Sequence, residues 1–423
     1  RKVKDSLGFT PRFAFGLIPS TGFDSVVIVS DDFQIKEYQS GTVTDRSGSI
    51  SGSTSPFPFT GTTLSNVFYI NREDRVPVYR LANGTNFADL PNWDSSHRTK
   101  SLRSYKDFLI ALNTTEGGTN FPTRVRFSDI TTVNNVPSSW DASDTTKSAG
   151  FNDLVQMQTP IVDGLELGTN FVIYSSSEAI LMEFVGGTFL FNFRKLFGDE
   201  GVINANCVVE VDGRHYVFGQ NEIYVTDGTS RKSISDERVR QFVYGGMNKK
   251  NADRFFVQHN EELSEIYFCY QSGDSLVNFV DTARCNRAAV FNYRNNTWSF
   301  MDLPNVSAGA TANVNSVSTY ANSTSTYALV GGSYYDQEDT FNPSGIAIHP
   351  RSNDFYVIGS KGEKMIVCYG MDGRFKEALG LDKDQFMQPE GITFLSSGEL
   401  VISSEGKKGK KAEILIFAAS QQS

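Results

Sequence analysis

Histidines, cysteines and neighbouring carboxylates are the residues of this chain whose types could support chemistry. The four histidines, His97, His215, His259 and His349, are dispersed, and neither a GxSxG nor an HExxH motif occurs. Serine and metal hydrolases need their nucleophile, base and ligands at defined spacings. The histidines therefore give no indication of such an enzyme.

Two pairs of carboxylates could be drawn as general acid and base: Asp199 with Glu200, and Asp382 with Asp384. In a glycoside hydrolase the two carboxylates face each other across the sugar, and adjacency in sequence does not establish that geometry. We therefore interpret both pairs as surface or turn residues.

Metal ligation is weakly supported. The stretch GLDKDQ, Gly380 to Gln385, offers two close oxygen donors but lacks the spacing of an EF-hand loop. The cysteines have no CxxC motif and no histidine at ligand spacing, so we expect reduced, buried thiols at Cys207, Cys269, Cys285 and Cys368. The sequence predicts no catalytic residues, no cofactor and no metal site.

Basic residues suggest binding more than catalysis. The run GKKGKK, Gly406 to Lys411, could contact phosphate, but a solvated hairpin loop is the favoured interpretation. For four arginines we favour a solvated surface position over the alternatives of lining a channel or pairing with a neighbouring subunit. These are Arg98, Arg103, Arg124 and Arg126.

The charge and hydropathy of the chain limit the possible functions further. Residues 341–423 hold ten basic and ten acidic side chains, so the whole net charge of −9 lies on residues 1–340. An acidic body repels nucleic acid, so DNA could pass without being held, and no specific DNA reader is indicated. No apolar run approaches the length of a membrane helix, and residues 1–13 lack the core of a signal peptide. Because the chain begins at Arg1, we expect a fragment or a processed product.

Short apolar or alternating runs bounded by turn residues indicate β-strands rather than helices. They are SVVIVS, NVFYI, DFLIALN, NFVIYSS, AILMEFV, RHYVFGQNEIYVTDG, EIYFCYQ, AAVFNYRNNTWSF and YALVGGSYY. Two contain hairpins, turning at Gly219 to Asn221 and at Asn295-Asn296. In the second, we expect Trp298 and Phe300 to pack between sheets, and Asp302 to Pro304 to end the strand.

The spacing of these runs predicts the architecture. Strands recur every 45 to 65 residues, about the length of one four-stranded blade, at Phe108, Phe171, Tyr216, Tyr267 and Tyr327. The fold class is therefore predicted to be all-β, a β-propeller built from antiparallel blades.

Several stretches resemble the tail nozzle or tail hub proteins of short-tailed bacteriophages. They are FPTRVRFSDI (121–130), PSSWDASD (137–144), AGFNDL (149–154), VDGLELGTNFVIY (162–174), FVGGTFLFNFRKLFGDEGVINANCVVEVDGRHYVFGQNEIYVTDG (184–228), SISDERVR (233–240) and FNYRNNTWSFMDLP (291–304). The likeness covers roughly residues 60–310. It implies a propeller-bearing virion protein that assembles as a ring, of six copies in such tails, around the genome-ejection channel. It implies no catalytic residues.

The last part of the chain resembles a different family. Pro343-Ser344-Gly345-Ile346 is echoed 46 residues later by Pro389-Glu390-Gly391-Ile392, and a strand pair follows each. Residues 342–417 look like the closing blades of the SdiA-regulated bacterial propellers, akin to NHL repeats. Two blades cannot close a propeller by themselves. We therefore divide the chain into residues 1–340 and residues 341–423, joined by natural fusion, deliberate chimera or stitching of separate sequences.

The sequence thus predicts a structural virion protein of a short phage tail and not an enzyme. Its expected partners are further copies of itself, six in all as the resemblance implies, and the adaptor, fibres or spikes of the tail, with non-specific passage of DNA. The expected location is the virion, after assembly in the host cytoplasm. The alternative is a monomeric ligand- or glycan-binding propeller, including a calcium-dependent hydrolase, which the last eighty residues by themselves would suggest.

Overall fold

The computed structural model describes residues 7, 9–17, 25–39, 42–50, 52–187, 189–273, 284–312, 326–331, 342–361, 364–370, 375–382, 386, 388–405 and 412–417. The chain divides into two compact units, a large unit, Lys4–Tyr334, and a small unit that takes in Tyr335–Ser423. The predicted junction lay between residues 340 and 341, and the family assignment of each part stays a prediction. The two units are described separately below.

In the described part of the large unit, six antiparallel sheets follow one another along the chain, with neighbouring strands adjacent in sequence. Sheet 1 consists of β1(Pro11–Leu17), β2(Ser25–Ser30), β3(Ile35–Gln39) and β4(Thr42–Asp45). Sheet 2 consists of β5(Phe59–Leu64), β6(Val67–Arg72), β7(Val78–Leu81) and β8(Ala88–Asp89). Sheet 3 consists of β9(Arg98–Tyr105), β10(Phe108–Glu116), β11(Thr119–Phe127) and β12(Gly150–Asp153).

Sheets 4 to 6 continue the series. They are β13(Ile161–Leu167), β14(Asn170–Ser175), β15(Ala179–Phe184) and β16(Phe191–Phe197); β17(Val208–Val211), β18(Arg214–Phe218), β19(Ile223–Thr226) and β20(Arg231–Ser233); and β21(Phe256–Asn260), β22(Glu265–Tyr270), β23(Cys285–Asn292), β24(Thr297–Ala312) and β25(Thr326–Gly331). A helix, α1(Glu237–Gly246), and a 3₁₀ helix, Lys249–Arg254, lie between sheets 5 and 6.

The first strands of the six sheets form a closed circuit. Each of β1, β5, β9, β13, β17 and β21 contacts the next, and the second half of β24 lies between β21 and β1. There Ala308 and Ala310 pack on Ala14, Val26 and Ile28 of sheet 1. The sheets are therefore arranged around a central axis, and the large unit is an all-β propeller, as the sequence predicted.

The burial of the strands explains why these residues form blades. All six residues of β2 and all six of β6 are buried, because each sheet is packed on both faces by its neighbours. Phe108, Phe171, Tyr216 and Tyr267 lie on β10, β14, β18 and β22, the second strands of sheets 3 to 6. The predicted blade period is confirmed by this equivalence for sheets 3 to 6, but Tyr327 lies on β25, the fifth strand of sheet 6, and does not mark a further blade.

Three local features differ from the sequence-based expectation. The strand β24 continues past Pro304. Its pairing register with β23 shifts between Asp302 and Val306, so the proline, which has no N–H, lies where no regular ladder hydrogen bond is needed. Phe300 is 41% exposed, and its ring lies 4.3 Å from that of Phe242 of α1 at a tilt of 52° instead of packing between sheets. The helix α1 itself was missed, although Asp236 caps it by accepting a hydrogen bond from Val239 N.

The other expectations for the hairpin at Asn295-Asn296 are confirmed. Asn296 adopts a positive φ of 53° in the turn between β23 and β24. Trp298 contacts Phe268 and Phe291 of sheet 6 and donates from Nε1 to the carbonyl of Ile234, which follows sheet 5. Trp298 therefore packs between two adjacent sheets.

The small unit contains two described sheets. Sheet 7 consists of β26(Asn342–Ile348), β27(Phe355–Lys361), β28(Met365–Tyr369) and β29(Phe375–Gly380), and sheet 8 consists of β30(Pro389–Phe394), β31(Leu400–Ser404) and β32(Glu413–Phe417). The two halves of the 46-residue repeat lie on β26 and β30, the first strand of each sheet. These two strands contact each other, so the sequence repeat is a structural repeat.

Candidate functional site

A cavity lies on the central axis of the large unit. Its volume is about 510 Å³, and all six sheets contribute to its wall. The wall is part aromatic, with Phe13, Phe15 and Phe59, and part polar, with Arg12 and Arg103 among the lining residues. The two arginines belong to two separate networks of buried charge.

The first network joins four consecutive sheets. Arg103 on β9 donates from Nε and a terminal nitrogen to both oxygens of Asp163 on β13, at 2.8 and 2.6 Å, and donates to the carbonyl of Gly61 on β5 at 3.0 Å. Asn206, just before β17, donates its backbone N–H to Asp163 at 2.9 Å and its side-chain amide to the carbonyl of Phe59. We call these residues the Arg103 network.

The electrostatics of Asp163 follow from this geometry. Burial alone would raise the pKa of this fully buried carboxyl, but the charge and hydrogen bonds of Arg103, with a hydrogen bond from Ser101, lower its pKa overall. Asp163 is therefore an ionised carboxylate whose oxygens are occupied by donors. Asp163 therefore holds neighbouring strands together, and neither of its oxygens is free to act as a general base.

The second network joins the first and last sheets of the large unit. Arg12 on β1 donates to Asp253 Oδ2 at 3.0 Å and lies 3.3 Å from Asp31 Oδ1. Arg254 bridges the same two aspartates, each at 3.2 Å. Burial and the nearby charge of Arg254 lower the pKa of Arg12 to about 10. We call these four residues the Arg12 cluster.

The expectation of solvated arginines is wrong for three of the four positions. Arg103, Arg124 and Arg126 are buried, and the last two share Glu116 within sheet 3. Arg124 also binds Asp153 through two hydrogen bonds. Their acidic partners lie in the same chain, so these ion pairs form without a neighbouring subunit.

The environment of Arg124 and of Arg98 completes this picture. The Arg124 guanidinium stacks between two aromatic rings, 3.6 Å from the centroid of Phe121 and 3.9 Å from that of Phe151. Such stacking uses the planar cation that lysine lacks. Arg98 is half-buried and donates to the carbonyls of Ser95 and His97.

The four histidines are not brought together. His215 is completely buried, with Nε2 2.7 Å from the carbonyl oxygen of Glu166 and Nδ1 2.9 Å from Tyr174 Oη. A carbonyl only accepts, so Nε2 carries the proton and Nδ1 accepts from the tyrosine. Burial lowers the pKa of His215 to about 4. It is a neutral structural group.

The other three histidines are half-buried or lie in turns. Burial lowers the pKa of His97, which lies 3.9 Å from Asp94, and that of His259, whose Nε2 lies 3.2 Å from Tyr293 Oη. His349 Nδ1 accepts from the backbone of the turn that follows it. His349 Nδ1 also lies 3.2 Å from Ser352 Oγ, a contact that closes this exposed turn.

The side chains of Asp199 and Glu200 bind different partners. Asp199 pairs with Arg231, whereas the buried Glu200 accepts from Gln220 N at 2.6 Å and from Asn221 at 3.3 Å. This confirms that Asp199 is a surface residue, but Glu200 is a buried anchor of the β18–β19 turn. Lys383, Asp384 and Gln385 of the GLDKDQ stretch lie outside the described residues, as does the whole of GKKGKK.

All four cysteines are buried and unbonded to one another, as predicted. Burial raises the pKa of each thiol, which removes the thiolate needed for nucleophilic attack or metal binding. Within the ranges that the structure covers, no cluster of three or more His, Cys, Asp or Glu side chains is arranged for a metal ion.

A second buried carboxylate site was not anticipated from the sequence. Glu37 on β3 accepts from Arg80 on β7 at 2.7 and 3.0 Å, from Arg46 at 2.7 Å and from Ser25 at 2.6 Å, beside a cavity of about 250 Å³. Burial would raise the pKa of Glu37, but these donors lower it to about 2. This site connects sheets 1 and 2 as the Arg103 network connects sheets 2 to 5.

Comparison with known proteins identifies no family. No family model matches the chain, and no curated protein matches it. Among solved structures it resembles a computationally designed protein, Ika8 (10% identity, TM-score 0.39, covering 96% of this chain and 100% of that one). It also resembles Saccharomyces cerevisiae Sqt1 (9%, 0.35, 82% and 80%) and the Cps50 (Swd1) β-propeller domain of Myceliophteria thermophila (8%, 0.34, 86% and 98%).

These similarities are too distant to indicate a ligand or an activity. The sheets themselves define a β-propeller. In the part of the chain that the structure describes, no helix has the length and apolar character to cross a bilayer.

Proposed function

We propose that this chain is a structural subunit of a short bacteriophage tail, of the nozzle or hub type, and not an enzyme. In this proposal about six copies form a ring around the genome-ejection channel in the virion tail, after assembly in the host cytoplasm. The ring offers attachment surfaces to the adaptor and to fibres or spikes, and it needs no cofactor.

The proposal rests on one observation: the stretches that resemble tail proteins contain buried residues whose hydrogen bonds hold neighbouring strands and sheets together. Asp163 and Asn206 of the Arg103 network lie in them, as do Arg124, Asp153 and the buried His215. These residues hold sheets together and are already occupied by one another. Such a role supports a likeness in architecture rather than in catalysis.

The cavity of the large unit indicates where a DNA channel would have to lie. Its volume of about 510 Å³ falls in the range of small-molecule sites, which is far too small for a DNA duplex. In the proposed assembly the conduit is therefore formed between copies. The net charge of −9 on residues 1–340 would repel phosphates and let DNA pass without being held.

The alternative, a monomeric ligand- or glycan-binding propeller, is favoured by that same cavity, because its size and its mixture of aromatic and arginine side chains suit a small molecule. A calcium-dependent hydrolase is the version of this alternative that the small unit suggests. The two proposals differ in oligomeric state and in the effect of removing metal.

The test is the mass of the full chain in solution by light scattering, with and without EDTA, combined with electron microscopy of the particles. The tail proposal expects rings of about six subunits whose mass and melting temperature do not change with the chelator. A monomer whose melting temperature falls in EDTA would overturn it and support the ligand-binding alternative.

A further inference from the structure

The small unit exposes apolar residues on the outer faces of both of its sheets. On β26 of sheet 7, Ile346 and Ile348 are 64% and 55% exposed, and on β32 of sheet 8, Ile414 and Ile416 are 71% and 61% exposed. Alternate residues of a strand share one face, so each pair forms a stripe. Blade faces of this kind are normally covered by the next sheet.

The contact between sheets 7 and 8 shows how such faces are covered within one chain. Ile358 and Ile366 of sheet 7 pack on Ile392 and Ile402 of sheet 8 in one buried cluster. At the edge of this contact the ring of Tyr356 on sheet 7 lies 4.9 Å from that of Phe394 on sheet 8.

The internal repeat makes the two outer faces equivalent to the two faces of this buried contact. Because Pro343 corresponds to Pro389, Ile346 corresponds to the buried Ile392, and Ile348 corresponds to Phe394. The outer face of sheet 7 therefore repeats the face by which sheet 8 packs on sheet 7.

The strand ladders extend the equivalence to the other outer face. Gly345 pairs with Ile358 on the next strand, and Ile358 pairs with Ile366 on the strand after that. In sheet 8 the counterpart Gly391 pairs with Ser403, and Ser403 pairs with Ile414. The exposed Ile414 thus occupies the position of the buried Ile366. The outer face of sheet 8 repeats the face by which sheet 7 packs on sheet 8.

We propose that the outer face of sheet 8 in one copy of this chain docks on the outer face of sheet 7 in a second copy. The two faces are complementary because the same packing already exists inside each copy. The contact is head-to-tail, so each copy adds two sheets to a series that continues into the next copy.

A second copy is the occupant that the structure favours. The large unit closes its own circuit, with β24 between β21 and β1, and so presents no first strand with an uncovered face. Among its described residues, the exposed large apolar side chains lie in turns, on α1, at the end of β15 and on the outer strands β12 and β24, for example Val155 and Met301. The repeat, in contrast, supplies a matching face on every other copy.

The test is crosslinking between two variants of the full chain. Within one copy, Tyr356 of sheet 7 contacts Phe394 of sheet 8. By the repeat, Val401 corresponds to Tyr356 and Ile348 to Phe394. The proposed contact therefore brings Val401 of one copy next to Ile348 of another. Val401→Cys and Ile348→Cys are prepared separately, mixed, and treated with a short bis-maleimide. The native thiols are buried and do not compete.

The proposal expects a covalent dimer in the mixture and none with either variant alone. The matched control replaces Ile348→Cys by Val155→Cys, a thiol on an 88% exposed turn of the large unit. Adding Ile414→Arg to the Val401→Cys chain should reduce the dimer about tenfold or more, because the docked face would bury an unpaired charge. Ile414 is exposed within one copy, so this variant should fold normally.

Two results would overturn the proposal. One is a dimer yield in the mixture no higher than that with the Val155→Cys control. The other is equal crosslinking of each variant alone, which would mean that like faces meet. The crosslink reports only on sheets 7 and 8, so it is independent of whether the chain forms a ring in a phage tail.

Discussion

At the scale of single residues, arginine–carboxylate pairs connect the blades of the large unit. Arg103 binds Asp163 across 60 residues of sequence, and Arg80 binds Glu37 across 43. A buried pair of this kind contributes little net stability compared with an apolar contact, but removal of one partner leaves a buried charge uncompensated. The pairs therefore make the arrangement of neighbouring sheets sensitive to single substitutions.

Asp163→Asn should lower the free energy of unfolding by about 3 kcal/mol or more, because it leaves the buried guanidinium of Arg103 without a counter-charge. The measurement is urea denaturation followed by tryptophan fluorescence. The matched control is Asp199→Asn, which removes a carboxylate whose side chain is 65% exposed and should cost less than about 1 kcal/mol. Equal losses from the two variants would contradict the role of the Arg103 network.

His215 should make stability fall between neutral and mildly acidic pH. Burial lowers the pKa of His215 from 6.5 to about 4 in the folded protein. Between these values the unfolded chain takes up a proton and the folded chain does not, so stability is full above pH 6.5 and is lost as the pH falls toward 4. The loss should be about 3 kcal/mol.

The measurement for His215 is the free energy of unfolding at several pH values between 7.5 and 4, for the wild-type chain and for His215→Gln. The glutamine variant has a lower stability at neutral pH but a shallower pH dependence. His97 and His259 remain in both proteins, so their contributions cancel in the comparison. Parallel curves for the two proteins would show that His215 titrates normally.

At the scale of elements, the sequence was sufficient where structure depends on neighbouring residues. The hairpins at Gly219 to Asn221 and at Asn295-Asn296 were predicted because turn chemistry is local, and Asn296 adopts the positive φ that was expected of it. The helix α1 was missed because it has ten residues, of which only Val239 and Val243 are buried, too few for a helical period. Its signal was the capping residue Asp236.

Two glycines give opposite predictions for the elements that contain them. A Cβ at Gly201, between sheets 4 and 5, would lie 2.1 Å from the carbonyl oxygen of Ser175, so Gly201→Ala forces the backbone apart and should cost about 2 to 3 kcal/mol. Gly245, in α1, has no heavy atom within 4 Å of a new Cβ, and Gly245→Ala should stabilise by up to about 1 kcal/mol. Thermal unfolding measures both, and a shift of the same sign for the two variants would contradict this placement of the backbone.

At the scale of the whole large unit, the decisive contacts join residues that are far apart in sequence. The blade period predicted a propeller, because each blade is a local meander, but it did not indicate how the first and last sheets meet. Arg12 and Asp253 are separated by 241 residues, and the sequence around each shows only an isolated charge. The Arg12 cluster and the second half of β24 could be found only from the three-dimensional arrangement.

Ring closure by Arg12 can be measured as a coupling energy. Asp253→Asn leaves Arg12, whose side chain is 3% exposed, beside Arg254 with less compensating charge and should cost about 2 kcal/mol. Arg12→Met removes that charge and keeps an apolar side chain of similar length, so the double variant should be less destabilised than the sum of the single variants, by about 1 to 2 kcal/mol.

The control for this cycle is Arg75→Met with Asp89→Asn, a pair within sheet 2 whose aspartate side chain is 64% exposed. Its coupling should stay below about 1 kcal/mol, because solvent screens the exposed charge. A coupling at Arg12 no larger than that of the control would mean that this ion pair does not help to close the circuit. Closure would then rest on the apolar contact of Ala308 and Ala310 with sheet 1. In that case Ala308→Asp, which places a charge in the same contact, should destabilise the large unit more than Asp253→Asn does.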